Sequence, residues 1–380
     1  MSVGLARWAN RLGVFVQGAM TCMAWLAGIV LCTLALGDAG GVLFLPFMLT
    51  LSLWLVTLLV HEGGHYVAAR HAGMTVLRVR VGRVELQPQQ RGWRVRWALP
   101  QKIHAAGYVT AVHDPSRPLR GQSLRMIAGG PGANLLVAII LGPVAWWCLP
   151  HAAAWLALAF ALLNALTGLA NLVPGSRGLA SDGLQLLLWR NRQLEFGPLF
   201  AHARLLALTV AGVTADHLPE DQLALLDAQP APMPMVALWY RLKARQNRGE
   251  WEAAAAQQTR FEHLQAELTP ALRSGLAEFL ACIRTELAFS LAIRDRDAAG
   301  LMDNLLPEKT RWSAPALWPR CLALRALLEG HLAEGRRLLG EAQCVAEQSL
   351  DRALPLSEAL IQRRMLALAA ESGTHAVRVA

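Results

Sequence analysis

The chain has 380 residues, 54% of them apolar and only 17% charged, leaner in charge than an average soluble domain. Its formal charge of +9 is uneven: residues 1–125 hold 13 Lys and Arg against 4 Asp and Glu, and the remainder holds 23 of each. No basic stripe with interleaved aromatics is present, which excludes a nucleic-acid partner, and six scattered cysteines without a C-x-x-C pair exclude a disulfide framework and a zinc knuckle.

The apolar residues gather before residue 190 in runs as long as a bilayer is thick, so the fold class expected is a polytopic α-helical membrane protein. Behind Arg7 and Arg11, the first run covers 14–36. It is longer than the roughly 7–15 apolar residues of a signal peptide and reads as a retained helix. The second, 42–65, ends in "HEGGH". The third, 124–149, is expected to be interrupted by "GGPG" at 129–132 and by Pro143, and the fourth covers 152–173.

Between the second and third spans, 74–88 and 92–99 alternate apolar and basic residues around "QPQQRG". That pattern predicts a short cytoplasmic β-hairpin over 74–99, its arginines facing lipid headgroups or solvent. The loop from Arg70 to Arg125 holds eleven basic residues, whereas 37–41 and 149–152 hold none. The positive-inside rule then puts both termini and this loop in the cytoplasm of a bacterial inner membrane protein.

After Asp182 the character changes. The apolar stub "LQLLLW" (184–189) is too short to span. Residues 196–218 read as a connecting helix, and 219–380 as a cytoplasmic all-α domain with Ala, Leu, Glu and Arg at helical spacing. "RGEWEAAAAQ" (248–257), "DRDAAGLMDN" (295–304) and "EGHLAEGRRLL" (329–339) repeat a turn followed by an Ala-rich helix, with a weak tetratricopeptide-like resemblance. Such a helical-repeat-like domain would dock a protein partner, leaving 1–195 as the membrane core.

H-E-x-x-H on a helix sets two imidazoles one turn apart on one face, able to share a zinc ion. The glutamate between them can take a proton from zinc-bound water. Unpaired ionisable groups are costly at this depth, so His61, Glu62 and His65 are functional candidates. Gly63 and Gly64 would let a helix or a substrate backbone approach closely. A hydrolytic zinc site wants a third protein ligand and an open fourth position. Asp182, in "NLVPGSRGLASDGLQLL" (171–187), lies on the same side of the membrane. It reads equally as a ligand or as a helix N-cap. Asn171 offers an amide to an extended substrate.

"HEGGH" at a span's end, "AGGPGANLL" (128–136) opening a later one, and "NLVP…SDG" beyond the next resemble the site-2 proteases, a family of intramembrane zinc metalloproteases. The resemblance covers about residues 45–190. It implies Zn²⁺ held by His61, His65 and Asp182, Glu62 as general base, and Asn171 and Asn134 at the substrate site. The substrate would be a membrane-anchored protein cut in or beside its membrane helix. The 74–99 hairpin would match the family's membrane-associated β element, which pairs with an extended substrate. Two features depart from the family. Seven residues separate Pro174 from Asp182, more than is usual, and Ser181 stands where an apolar residue is common. If Asp182 is only a cap, the third ligand falls to Glu85, His104, His113 or Asp114. A non-catalytic membrane adaptor is the rival reading, and the lack of an inverted repeat counts against a transporter.

Overall fold

The computed structural model describes residues 3–37, 43–97, 106–176 and 179–379. His104 and the end of the expected hairpin lie outside the described residues. The chain divides into two compact units, Met1–Pro88 with Gly92–Glu195, and Gln89–Arg91 with Phe196–Ala380.

In the first unit, the four apolar runs form α1 (Val3–Leu36), α2 (Phe44–His71), α3 (Leu119–Trp147) and α4 (Ala152–Leu172), each long and apolar enough to cross a membrane. Their outer faces leave Phe15, Leu26, Leu59, Val67, Ile139 and Trp147 exposed. A water-soluble surface would not tolerate so much contiguous apolar area, whereas lipid does. The inner faces carry the opposite chemistry: Thr57, His61, Glu62, His65, Asn134 and Asn164 are all buried.

The expected break in the third span is not there. α3 runs continuously through Gly129–Gly132, Pro131 and Pro143. A proline removes one amide donor, and packing against neighbouring helices makes this tolerable in a membrane helix.

α2 ends in a left-handed glycine. Gly73 sits at φ 88°, and the Met74 and Gly73 amides donate back to the carbonyls of Ala69 and Arg70. The chain then enters a four-stranded antiparallel sheet of order β3-β2-β1-β4, formed by β1 (Thr75–Val81), β2 (Val84–Pro88), β3 (Trp93–Trp97) and β4 (Gly107–Val112). The predicted single strand over 74–88 is two, because Gly82 at φ 57° supplies a two-residue hairpin turn between Val81 and Val84. The arginines do not all face outward either. Arg78 and Arg96 lie 3.2 and 2.9 Å from the carboxylate of Glu85, which is wholly buried, and β3 exposes Trp93, Val95 and Trp97 instead.

α4 leads through Val173–Ser176 to a short helix, α5 (Asp182–Leu188). The N-terminal half of α1 holds the start of that connection. The Asn10 amide donates to the Ser176 carbonyl and accepts from its amide, and Gln17 Nε2 donates to Val173 O.

The second unit is helical. The stretch expected to connect the two parts is built into its core, where Ala201, Leu205, Ala215 and Leu218 pack with Leu223, Leu226, Ala237 and Tyr240. The turns expected near 249, 296 and 330 occur, each with a residue at positive φ: Gly249, Arg296 and Gly330. No Ala-rich helix follows the second of them. Asp297 accepts from the Ala299 amide in a local turn, and the next helix starts only at Glu308, behind Pro307. The largest fully buried side chain among the described residues is Arg320, paired with Glu286 and Glu358, while Lys243 also donates to Glu286.

Candidate metal centre

The site belongs wholly to the first unit. α2 presents His61 and His65 on one face, and α3 lies against that face at near backbone contact. A Cβ at Gly64 would stand 2.3 Å from Gly129 O, and one at Gly130 would stand 2.3 Å from His65 Nε2. These glycines exist because no larger residue leaves room for the imidazole between the helices. Gly63 has nothing within 4 Å, so only the second glycine of "HEGGH" serves the packing.

Asp182 reaches the histidines as the first residue of α5. The cap is its neighbour Ser181, whose Oγ accepts from the Leu184 and Gly175 amides and donates to Val173 O at 2.8 Å. The capping role that competed for Asp182 is therefore filled, and the carboxylate is turned inward. Its Oδ2 lies 3.2 Å from His61 Nε2 and 3.5 Å from His65 Nε2, and the two Nε2 atoms are 3.2 Å apart. With ligand bonds near 2.0–2.1 Å, donor atoms around a tetrahedral zinc stand about 3.3 Å from one another. The triangle has that size.

The protonation of the ring nitrogens follows from their partners. Asn134 Nδ2 donates to Asn164 Oδ1 at 3.0 Å and to Thr57 O at 3.3 Å, which turns its Oδ1 toward His61 Nδ1 at 2.9 Å. His61 must then donate through Nδ1. His65 Nδ1 faces the Met126 carbonyl at 2.8 Å and must also donate. In neutral rings both Nε2 lone pairs point at each other and at an anionic oxygen. Asp182 Oδ2 is itself buried without a hydrogen-bond partner among the described residues. Three converging lone pairs, one of them on a carboxylate, repel one another unless a cation sits among them. The donor set, two imidazoles and a carboxylate, is that of a catalytic zinc site.

Glu62 projects beside this triangle. Its carboxylate lies against Gly107 at the start of β4, where a Cβ would come within 2.5 Å of Oε1. A cavity of about 840 Å³ opens over the group, lined by His61, Glu62, His65 and Asp182 together with Tyr108, Asn171 and Gln185. Asn171 donates to Thr167 O and borders this cavity, whereas Asn134 is fully buried behind His61.

The other candidate ligands are engaged elsewhere. Glu85 is held by Arg78 and Arg96, and Asp114 accepts from Ser116. His113 lies 2.7 Å from Ser123 Oγ, and burial pushes its imidazole down from 6.5 to about 4. Three contributors carried no sequence signal: Gly107, Thr57 and Asn164. A lone Asn in "LLNAL" or Thr in "LVTLL" shows no partner until the helices are assembled.

With this geometry in view, residues 48–151 match the model of Peptidase family M50. A relative from Rhizobium meliloti (strain 1021), carrying the name "Putative zinc metalloprotease R01501", is 30% identical over 167 residues, covering 37% of this chain and 44% of its own length. The chain thus spans less than half of that relative. No solved structure matches. The matched stretch contains "HEGGH" and "AGGPGANLL" and bears out the resemblance to the site-2 proteases. Asp182 and Asn171 lie beyond the family match, and their assignment rests on the geometry described above.

Proposed function

We propose that this chain is a zinc metalloendopeptidase that hydrolyses a peptide bond in or beside the membrane helix of a partner protein. One observation carries the reading. Two imidazoles and a carboxylate converge at zinc-ligand spacing beside a fourth, acidic side chain, and they do so among helices apolar enough to cross a bilayer.

His61, His65 and Asp182 would hold the ion. When bound, zinc supplies Lewis acidity, polarising a carbonyl and acidifying water. The rest falls to the chain's own groups. The Glu62 carboxylate, facing the cavity, takes a proton from the attacking water and returns it to the leaving amine. Gly107 leaves space for that carboxylate where any side chain would displace it. Asn134 keeps the His61 proton on Nδ1, so Nε2 remains a ligand.

A helical substrate segment must unwind before its carbonyl is reached. The strand bordering the cavity is β4, an edge of the sheet, through Gly107, Tyr108 and Val109. An extended peptide added along this edge would lie beside Glu62, so β4 takes the role that the sequence assigned to the 74–99 hairpin. The basic 70–125 loop supports a site open to the cytoplasm. The helical second unit would recruit or restrain a partner.

Metal analysis of the purified chain tests the reading. About one zinc per chain is expected, retained in Glu62→Gln, which should cleave no membrane-anchored substrate. Zinc absent from the wild-type chain, or cleavage unaffected by Glu62→Gln, would overturn it.

A further inference from the structure

The Asn134 amide can face His61 in either of two orientations, and only one supports a ligand. With Oδ1 toward the ring, His61 carries its proton on Nδ1 and offers Nε2. With the amide turned over, Nδ2 would donate to Nδ1, the ring proton would move to Nε2, and the metal lone pair would be lost. Something must decide between them.

We infer that Asn164 of α4, anchored by Thr57 of α2, is a positioning residue that fixes the Asn134 amide and, through it, the metal-binding tautomer of His61. This rests on the zinc reading proposed above. Asn164 Nδ2 donates to Phe160 O at 2.8 Å and to Thr57 Oγ1 at 3.1 Å, which leaves its Oδ1 as the acceptor facing Asn134 Nδ2 at 3.0 Å. Thr57 Oγ1 in turn donates to Leu53 O at 3.0 Å. Each donor in this chain ends on a carbonyl or on the next member, and the direction cannot be reversed without stranding one. Asn134, Asn164 and Thr57 are each 0% exposed, so water is not at hand to satisfy an inverted arrangement. The relay ties three helices, α2, α3 and α4, to one proton position.

Zinc affinity, measured by competition with a chelator on the purified full chain, tests this without reference to activity. Asn164→Leu removes the acceptor at similar volume and should weaken zinc about 10–100-fold, the range typical of lost outer-sphere partners. Asn164→Asp keeps the acceptor that faces Asn134 Nδ2 and should stay within a few-fold of wild type. Cobalt substituted for zinc should show an altered ligand-field spectrum in the leucine variant only. In an Asn134→Leu background, Asn164→Leu should add little, because its effect passes through Asn134. Where Asn164→Leu does not fold, Thr57→Val serves the same cycle, with a loss of about threefold expected in the native background alone. Wild-type affinity in Asn164→Leu, or equal losses in both backgrounds, would overturn the inference. A wild-type chain that binds no zinc would instead remove the reading on which it stands.

Discussion

Ser181 and Asp182 are neighbours with divided labour. The serine, which stands where the site-2 proteases commonly have an apolar residue, caps α5 and ties down the connection from α4. The aspartate is thereby free to meet the histidines. Asp182→Asn keeps the shape but removes the charge that offsets a divalent ion. It should reduce bound zinc from about one per chain toward none, as His61→Ala should, with the fold retained; metal analysis after gel filtration decides. Ser181→Ala should cost about 1 kcal/mol of stability and weaken zinc only several-fold, since the cap is lost and the ligand kept. At this scale the sequence was readable where spacing encodes geometry: His61 and His65 stand one helical turn apart on α2, with Glu62 next to the first of them. Asp182 was readable only as a choice between two roles, because a loop of seven residues hides which side chain turns inward. His113 gives a separate expectation. Above pH 6.5 its ring is neutral folded and unfolded alike, so it adds no pH dependence. As pH falls below 6.5 toward 4, the unfolded chain takes up a proton that the buried ring refuses. Thermal stability in detergent should therefore decline over that window, and His113→Gln should flatten part of the decline.

Between elements, the controlling contact is α2 against α3. The apolar lengths announced all four spans, and α4 ends within a residue of its expected bound. The prolines misled, because a helix that packs among others can carry Pro131 and Pro143 without breaking. β4 was missed for a different reason: "GYVTAV" has no basic alternation like that of β1 and β3, and its identity as a strand comes from pairing with β1. The glycines of "HEGGH" and "AGGPG" are not equivalent, and this can be tested directly. Gly64→Ala and Gly130→Ala each place a methyl group within 2.3 Å of Gly129 O or of His65 Nε2. Separating α2 and α3 enough to relieve either clash should cost about 1–3 kcal/mol and abolish zinc binding. Gly63→Ala and Gly132→Ala meet nothing within 4 Å and should leave zinc content unchanged, with stability equal or slightly higher. Equal behaviour of all four variants would show that helix approach does not govern the site.

At the scale of the whole molecule, the two units are held by different means. The first hides its polar groups inside and turns apolar residues outward. The second buries leucine, phenylalanine and tryptophan around a charged centre in which Arg320 holds Glu286 and Glu358. Arg320 lends enough positive charge, with Lys243, to keep the Glu286 carboxyl at about 2 despite complete burial. Arg320→Met would leave two buried carboxylates with Lys243 alone, at a cost of about 3–5 kcal/mol, read as a fall in the unfolding temperature of the second unit. The arrangement across the bilayer is the last expectation. Four spans are an even number, so the chain must end on the side from which it started. The basic residues decide which side: the 70–125 loop carries eleven, and the turn around Leu149–Pro150 carries none. That loop includes the sheet whose β4 borders the cavity, so on the proposed function sidedness would also determine the compartment from which water and substrate arrive. Reporter fusions after residues 110 and 250 should read as cytoplasmic, and a fusion after residue 150 as external. Fusions at 110 and 250 both reading as external, with 150 cytoplasmic, would overturn this arrangement: either all four spans are inverted or α1 does not cross, and a reporter placed ahead of α1 separates the two.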